Sequence, residues 1–330
     1  MHDVQNLNKN KQPPTITYPG CTIDKKYVHR QAVNEVFITS SHQNETDHFS
    51  VTAVMPKSHM YFNDQPELID DNQYYDALLL LEIFRQTSIC VTHKYYDVPL
   101  TAKFIFNDAK FSIINHHLLQ ISELSQCLTV EVKIRNHKYR RHVLFGYTLD
   151  MDILINNTLC AHKKMDIGWM EKSVWKKLRS RHESHHPFEF SYIKPVSSIS
   201  VGRNIPRNVV IGDIREDDNF FKASLIVDQS YSSIFDHPLD HVPAMFIIEA
   251  CRQSALMAVF IREDIKVNQL LFHSCDISFL HFCELSCISE CVINMSDIIS
   301  TYNVIQVPVS VMQNDSQNTV GVISFKIIMK

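Results

Sequence analysis

Glycine is scarce, with six in 330 residues, so any long strands here must curve by twist and bulges more than by glycine kinks. An excess of one charge is missing too. Lysine and arginine number 32 against 36 acids, a net charge of −4, which leaves no electrostatic footprint for nucleic acid or an anionic membrane and favours small or neutral substrates. No apolar run crosses a bilayer's thickness uninterrupted, since the longest are broken by Glu82, Glu249 and Arg252. MHDVQNLNKNKQPP at the N-terminus lacks the apolar core of a signal peptide. A soluble, cytoplasmic protein with no membrane insertion is the expectation. None of the nine cysteines forms a C-x-x-C pair, so they read as free thiols. Cys283, Cys287 and Cys291 recur every four residues, a metal-ligand spacing only on a helix, whereas HFCELSCISECVINM reads as strand. RHESHHP at 181–187 reads as a solvated linker before a metal tract. No metal site is expected.

The chain does contain an internal repeat. ALLLLEIFRQTSICV carries Glu82, Arg85 and Gln86; AMFIIEACRQSALMA carries Glu249, Arg252 and Gln253, each 167 residues further on. FNDAKFSI from Phe106 is echoed by FHSCDISF from Phe272, and VNEVFIT from Val33 more loosely by RNVVIGD from Arg207. The larger upstream offset implies a longer loop in the first half. Long helices are predicted at about 77–93 and 243–262. Seven of the eight residues Ala77–Phe84 are apolar, so the first helix must be enclosed. Strands follow each helix: CLTVEVKI and HVLFGYTLDMDILIN in the first half, YNVIQVPVSVM and VGVISFKIIM in the second. The expected fold is α+β, a tandem hotdog in which each half wraps an antiparallel sheet around one long central helix. The expected divisions are a polar segment at 1–27, repeats at 28–172 and 201–330, and a connection at 173–200 rich in Lys, Arg, His and Ser.

HPLDHVP precedes only the second helix, whereas DNQYYDALL before the first supplies Asp76 as N-cap, so the second half is favoured for chemistry. Pro243 suits a first helical turn, whose free N–H groups and dipole can hold a developing oxyanion. Glu249, desolvated and so raised in pKa, suits a general base. Arg252, one turn on, can neutralise Glu249 or bind a phosphate. Against this stands a plain structural reading, in which Glu249 and Arg252 satisfy each other inside the core. His237 and His241 can serve as turn and cap residues, Asp240 as the fixer of the turn, and Trp169 and Trp175 as packing or rim residues. Lys57 and His59 receive no role.

HPLDHVPAMFIIEACRQ resembles the signature of the AfsA, or A-factor biosynthesis hotdog, family, whose members carry DHP, DHVPGM and an E-x-x-RQ helix; Ala244 stands where that family has Gly. VHRQAVNEVFITS, FSVTAVMPKSHMYF and LLLLEIFRQTSICVTHKYYDVPL resemble its first repeat, VWKKLRSR its inter-repeat region and HFCELSC its late second-repeat motif. The resemblance covers residues from about 28 to 330. It implies an acyltransferase that moves a β-ketoacyl group from acyl carrier protein, or a CoA thioester, to a hydroxyl of dihydroxyacetone phosphate, towards a γ-butyrolactone-type signal. On it, Glu249, Arg252, His237 and Glu82 are the catalytic candidates, and Arg85, Gln253, His241 and Asp240 the substrate-binding ones. Acyl transfer needs no cofactor, and a homodimer is compatible. The pairing of His237 with Glu249, twelve residues later, is similar to the loop His and helix Glu of β-hydroxyacyl-carrier-protein dehydratases. A hotdog thioesterase or dehydratase is the alternative enzyme, and an acyl-binding regulatory protein the non-catalytic alternative.

Overall fold

The computed structural model describes residues 20–123, 126–180 and 192–328. Residues 1–19 and the RHESHHP tract lie outside them. The first half contributes β1 (Ile38–Glu45), β2 (His48–Met55), α1 (Ala77–Tyr95), β3 (Lys103–Phe106), β4 (Asp108–Ile113), β5 (Gln126–Arg140), β6 (Val143–Ile155) and β7 (Thr158–Met170), followed by the short α2 (Lys172–Arg179). The second contributes β8 (Ile211–Asp217), β9 (Phe220–Leu225), α3 (Ala244–Glu263), β10 (Leu270–Phe279), β11 (Glu290–Asn294), β12 (Ile299–Ser300), β13 (Val304–Gln313) and β14 (Ser316–Ile327).

One antiparallel sheet joins both halves. It runs β1-β2-β5-β6-β7-β4, crosses to β10, and continues β10-β14-β13-β11-β9-β8, with β3 on β7 and β12 on β13. The second series is the first in reverse, each strand replaced by its counterpart. At the crossing Lys110 faces Asp276, the residue with which the repeat aligns it, and their side chains meet at 2.9 Å. The junction is therefore centred on a point of internal symmetry. The VNEVFIT echo sits one residue out of register: Ile38 opens β1 where Ile211 opens β8, an offset of 173 instead of 174.

The sheet encloses the helices because its inward positions are apolar. Leu128, Val130, Val132 and Ile134 of β5 alternate into the core, where Leu78–Leu81 of α1 are wholly buried at about 1.5–3 kcal/mol per side chain. Curvature comes from bulges, as at Arg135–Lys138 in β5 and Phe272–Ser274 in β10. Gly321 stays glycine because a Cβ there would lie 2.4 Å from the Asp276 carbonyl of the neighbouring strand. α3 is long and apolar enough to cross a membrane, but 72% of its most apolar window is buried inside the sheet, as in a core helix. The two helices begin differently. Asp76 caps α1, its Oδ1 accepting the Leu78 N–H at 2.9 Å. Pro243 is the N-cap of α3, outside the first turn and not within it, and no side chain caps that helix.

Candidate active site

Each long helix carries Glu-x-x-Arg-Gln on a buried face, and each glutamate is clamped in the same way. Glu82 accepts from Arg85 Nε at 2.8 Å and Gln86 Nε2 at 2.8 Å, and pairs with Arg30 at 2.7 Å. Glu249 accepts from Arg252 Nε at 2.6 Å and Gln253 Nε2 at 2.6 Å, and pairs with Arg203 at 2.7 Å. The glutamines then tie the helices to the strand leads: Gln86 bonds the Glu35 carbonyl and Phe37 N–H, Gln253 the Asn208 carbonyl and Val210 N–H. Arg30 and Arg203, 173 residues apart, went unrecognised in the sequence. The shared R-x-x-x-x-x-V spacing of Arg30–Val36 and Arg203–Val209 is the signal that could have found them.

The expected raised pKa of Glu249 does not hold. Burial opposes its ionisation, but Arg203 and Arg252 outweigh burial and keep it below the ordinary carboxylate value. Glu82 behaves alike, burial being overcome by Arg30 and Arg85, and is held at about 2. Both are permanent carboxylates at neutral pH and weak proton acceptors.

What covers each clamp differs. Arg203 is wholly buried; it donates to the Tyr61 carbonyl at 2.6 Å, lies over the Tyr61 ring at 4.6 Å and approaches Asp76 at 3.4 Å. Arg252 also reaches Asp76, at 3.6 Å. Two guanidiniums thus share two carboxylates, and Asp76 additionally caps α1. In the first half Arg30 and Arg85 share Glu82 and line a pocket of about 210 Å³, with the Arg85 side chain 17% exposed. Opposite them stands the start of α3, with Pro243 where the other site has Asp76. The other walls combine apolar side chains, Phe104, Ile105 and Phe106 of β3 with Leu239, Phe279 and Phe282, and polar ones, Lys103 and His281 among them.

The second half's histidine turn therefore meets the first half's arginines, while Glu82 stays buried behind them. His237 and His241 line this pocket, whereas Glu249, Arg252 and Gln253 do not. The expected facing of His237 and Glu249 is corrected on this point: the loop before α3 crosses to the other repeat, where Asp236 accepts the N–H groups of Gln31 and Ala32. The reciprocal contact exists, Asp64 accepting the N–H groups of Asn204 and Ile205. Asp64-Gln65-Pro66 is thus the counterpart of Asp236-His237-Pro238, and the turn, expected to have no first-half equivalent, has one with Gln65 in place of the histidine.

Four imidazoles line the open site, His29, His237, His241 and His281, and His93 stands next to His29. His93 Nδ1 donates to the Val98 carbonyl at 2.8 Å, so its Nε2 accepts from His29 Nε2, also 2.8 Å away. His29 is thereby left with a bare Nδ1. Burial, then His93, Arg85 and His237, push its pKa down to about 3. His237 is likewise lowered by burial and then by Arg85 and Arg30, and its Nδ1 has no hydrogen-bond partner. Both rings are neutral at pH 7. His241 and Asp240 do other work: Asp240 accepts from His241 Nδ1 at 2.7 Å and from the Trp175 indole at 2.6 Å. Burial raises its pKa, but these bonds outweigh it and hold the group at about 2. Arg179 of α2 bonds the Asp240 carbonyl at 2.7 Å, locking the turn. A wider groove of about 1350 Å³ along Cys21–Lys25, Val33–Phe37 and His59 contains none of the Glu-x-x-Arg-Gln residues; His59 Nδ1 there accepts the N–H groups of Tyr61 and Phe62.

The A-factor biosynthesis hotdog domain model matches residues 11–170 and 186–326. A Streptomyces virginiae protein named 2-oxo-3-(phosphooxy)propyl 3-oxoalkanoate synthase is 26% identical over 71% of this chain and 76% of its own. One of the same name from Streptomyces coelicolor is 27% identical over 76% and 77%. Among solved structures, a Lactobacillus plantarum protein described as an oleoyl thioesterase superposes with a TM-score of 0.53 at 10% identity, over 86% of this chain and 97% of that one. That likeness concerns the hotdog fold alone.

Proposed function

Because this chain belongs to the A-factor biosynthesis hotdog domain family, we propose that it is a tandem hotdog acyltransferase, with repeats at 28–172 and 201–330, that esterifies a small phosphorylated alcohol with a 3-oxoacyl group taken from a thioester. The relatives' name describes such a product. The observation that carries the reading is Arg30 and Arg85 sharing a single carboxylate at a pocket whose opposite wall is an uncapped helix start. A phosphate supplies the anion that this arginine pair lacks, through bidentate bonds of the kind guanidinium makes. The first-turn N–H groups of α3 receive the thioester oxygen as it becomes an oxyanion, a contact worth about 3 kcal/mol of barrier per donor.

In this scheme the acceptor hydroxyl attacks the thioester carbon, a C–O bond forms, the C–S bond breaks and a thiol leaves. The hydroxyl proton passes to neutral His237 and from it to the departing sulfur. Glu82 is a positioning residue that holds the two arginines; Glu249, Arg252 and Gln253 repeat its clamp as scaffold; Asp240 and His241 fix the turn. Acyl transfer by this route needs no cofactor, and a cytoplasmic location suits its soluble substrates. The test is incubation with 3-oxoacyl thioesters with and without dihydroxyacetone phosphate, read by mass spectrometry. Phosphorylated ester formed by the wild type and lost in Arg85→Ala supports the reading. Release of free acid irrespective of acceptor overturns it in favour of a thioesterase.

A further inference from the structure

The chain's slight net negative charge hides a local concentration of the opposite sign. Lys133–His142 contains five lysines and arginines and no acid, and α2 contains Lys172, Lys176, Lys177 and Arg179 and no acid. Arg179 is turned inward onto Glu284, and Trp175 beside it lines the pocket. The outer residues Lys172, Lys176 and Lys177 are exposed, as are Arg135, Arg140 and Arg141 at the tip of the β5–β6 hairpin. Burying one face of α2 fixes the other outward by helical spacing.

Hairpin tip and α2 sit at the same end of the sheet as the pocket. Gly146 of β6 pairs with Gly168 of β7, and the next β7 residue, Trp169, pairs on the opposite edge with Phe104, a pocket wall. Ring contacts run without interruption from the pocket to the hairpin: His29–Phe104 at 5.4 Å, Phe104–Trp169 at 6.3 Å, Trp169–Tyr147 at 5.1 Å and Tyr147–His137 at 6.1 Å. The second half gives an internal control. Its corresponding tip, residues 295–303, reads MSDIISTYN, with one acid and no base, and it packs on the C-terminal end of α3, where Arg262 bonds the Met295 and Ile298 carbonyls. The clamp it accompanies is the one closed by Asp76. Of the two corresponding tips, therefore, only the one at the end with the open site is basic.

We infer that the β5–β6 tip and the outer face of α2 form a docking surface for an acidic carrier protein that presents the acyl thioester to the pocket. The inference rests on the acyltransferase reading above and adds the surface on which a carrier-linked donor docks. Charge complementarity of this kind steers encounter and sets orientation, and it weakens with salt. α2 exposes a lysine ridge with only Val174 as a large apolar group, whereas an interfacial helix needs an apolar face; the hairpin also exposes Tyr139, Val143 and Phe145, so a lipid surface is one of the outcomes that the test separates.

The experiment compares wild type with Arg140→Glu/Arg141→Glu and with Lys172→Glu/Lys176→Glu/Lys177→Glu. Binding is measured by fluorescence anisotropy of a labelled acyl carrier protein, and transfer is assayed with a 3-oxoacyl carrier protein, with the corresponding CoA thioester and with its N-acetylcysteamine thioester. Both variants are expected to weaken carrier-protein binding and raise KM for the carrier-linked thioester at least tenfold, with the N-acetylcysteamine reaction unchanged. Raising salt should erase the difference. Equal losses on all three donors, unchanged carrier binding, an effect confined to CoA, or charge-dependent binding to phosphatidylglycerol vesicles without carrier binding would each overturn the inference. If no donor supports transfer, the acyltransferase reading fails while the anisotropy titration still decides docking.

Discussion

The Arg203 and Arg30 clamps use the same residue types at closely matching distances, yet the first faces a cavity of only about 30 Å³, reached by Arg252, and the second a pocket of about 210 Å³. The difference lies in a few covering residues. Asp76 gives the second-half arginines a second carboxylate and α1 a cap, whereas Pro243 gives the first-half arginines and α3 neither. Gln65 stands where the open site has His237, and Gly202 where it has His29. A repeated ion cluster therefore stands in both halves, and on the proposed reading the site lies where no second carboxylate contacts the arginines.

The sharpest way to break this comparison is to remove an arginine from each clamp. Arg203→Ala leaves Glu249 and Asp76 buried against Arg252 alone and is expected to cost about 3–5 kcal/mol in urea unfolding. Arg85→Ala is expected to cost less stability but to lower kcat/KM about 100-fold or more, through KM for the phosphorylated acceptor. If Arg203→Ala impaired transfer while Arg85→Ala only destabilised, the two sites would have to be exchanged.

Replacing the carboxylates tests the same point more gently. Glu249→Gln should lower stability by about 2–3 kcal/mol and leave turnover per folded molecule within about threefold, whereas Glu82→Gln should lose at least tenfold in turnover as Arg30 and Arg85 loosen. Kinetics corrected for the folded fraction distinguish them.

Pro243→Asp would give the open site the anion of the closed one. It is expected to raise stability by about 1 kcal/mol as an N-cap and to reduce transfer at least tenfold. A stable variant with undiminished affinity for dihydroxyacetone phosphate would show that the covering residue is not what separates the halves.

Acid should act first through the buried neutral histidines, His29 at the open site and His116, held at about 4, outside it. His29 has a folded pKa of about 3 against an ordinary 6.5, so the unfolded chain binds its proton more readily and stability falls as pH drops from about 6.5 towards 3. Glu82, at about 2 against 4.5, contributes stability present above about 4.5 and lost as pH falls towards 2. His29→Gly, copying Gly202, should flatten the upper part of that decline and leave the lower part, as read from urea midpoints between pH 7 and 4. The reverse exchange is the smallest effect. Gly202 has φ +71 and a Cβ there would meet Val267 at 3.1 Å, so Gly202→Ala should cost about 1 kcal/mol.

The repeat, the enclosed helices and the Asp76 cap were legible because they are local: spacing, apolar continuity and an N-cap need no knowledge of the other half. The family motif was legible too. What the sequence hid was which repeat each loop serves. HPLDHVP lies next to Glu249 along the chain, but Asp236 carries it to Gln31 and Ala32, and no periodicity encodes such an exchange. The pKa of Glu249 differs from its expected direction for another reason: desolvation follows from the apolar helix, but Arg203, 46 residues upstream in the same repeat, is set against it by tertiary packing alone.

The β4–β10 register, in which Lys110 opposes its own counterpart Asp276, has a consequence for how such a protein can change. A lone repeat pairing with a second copy of itself through that register would make an isologous dimer, and every substitution in it would appear at both sites at once. With both repeats in one chain, a carboxylate can settle over one clamp while a proline stands over the other, so one half is free to become ballast for the other's chemistry.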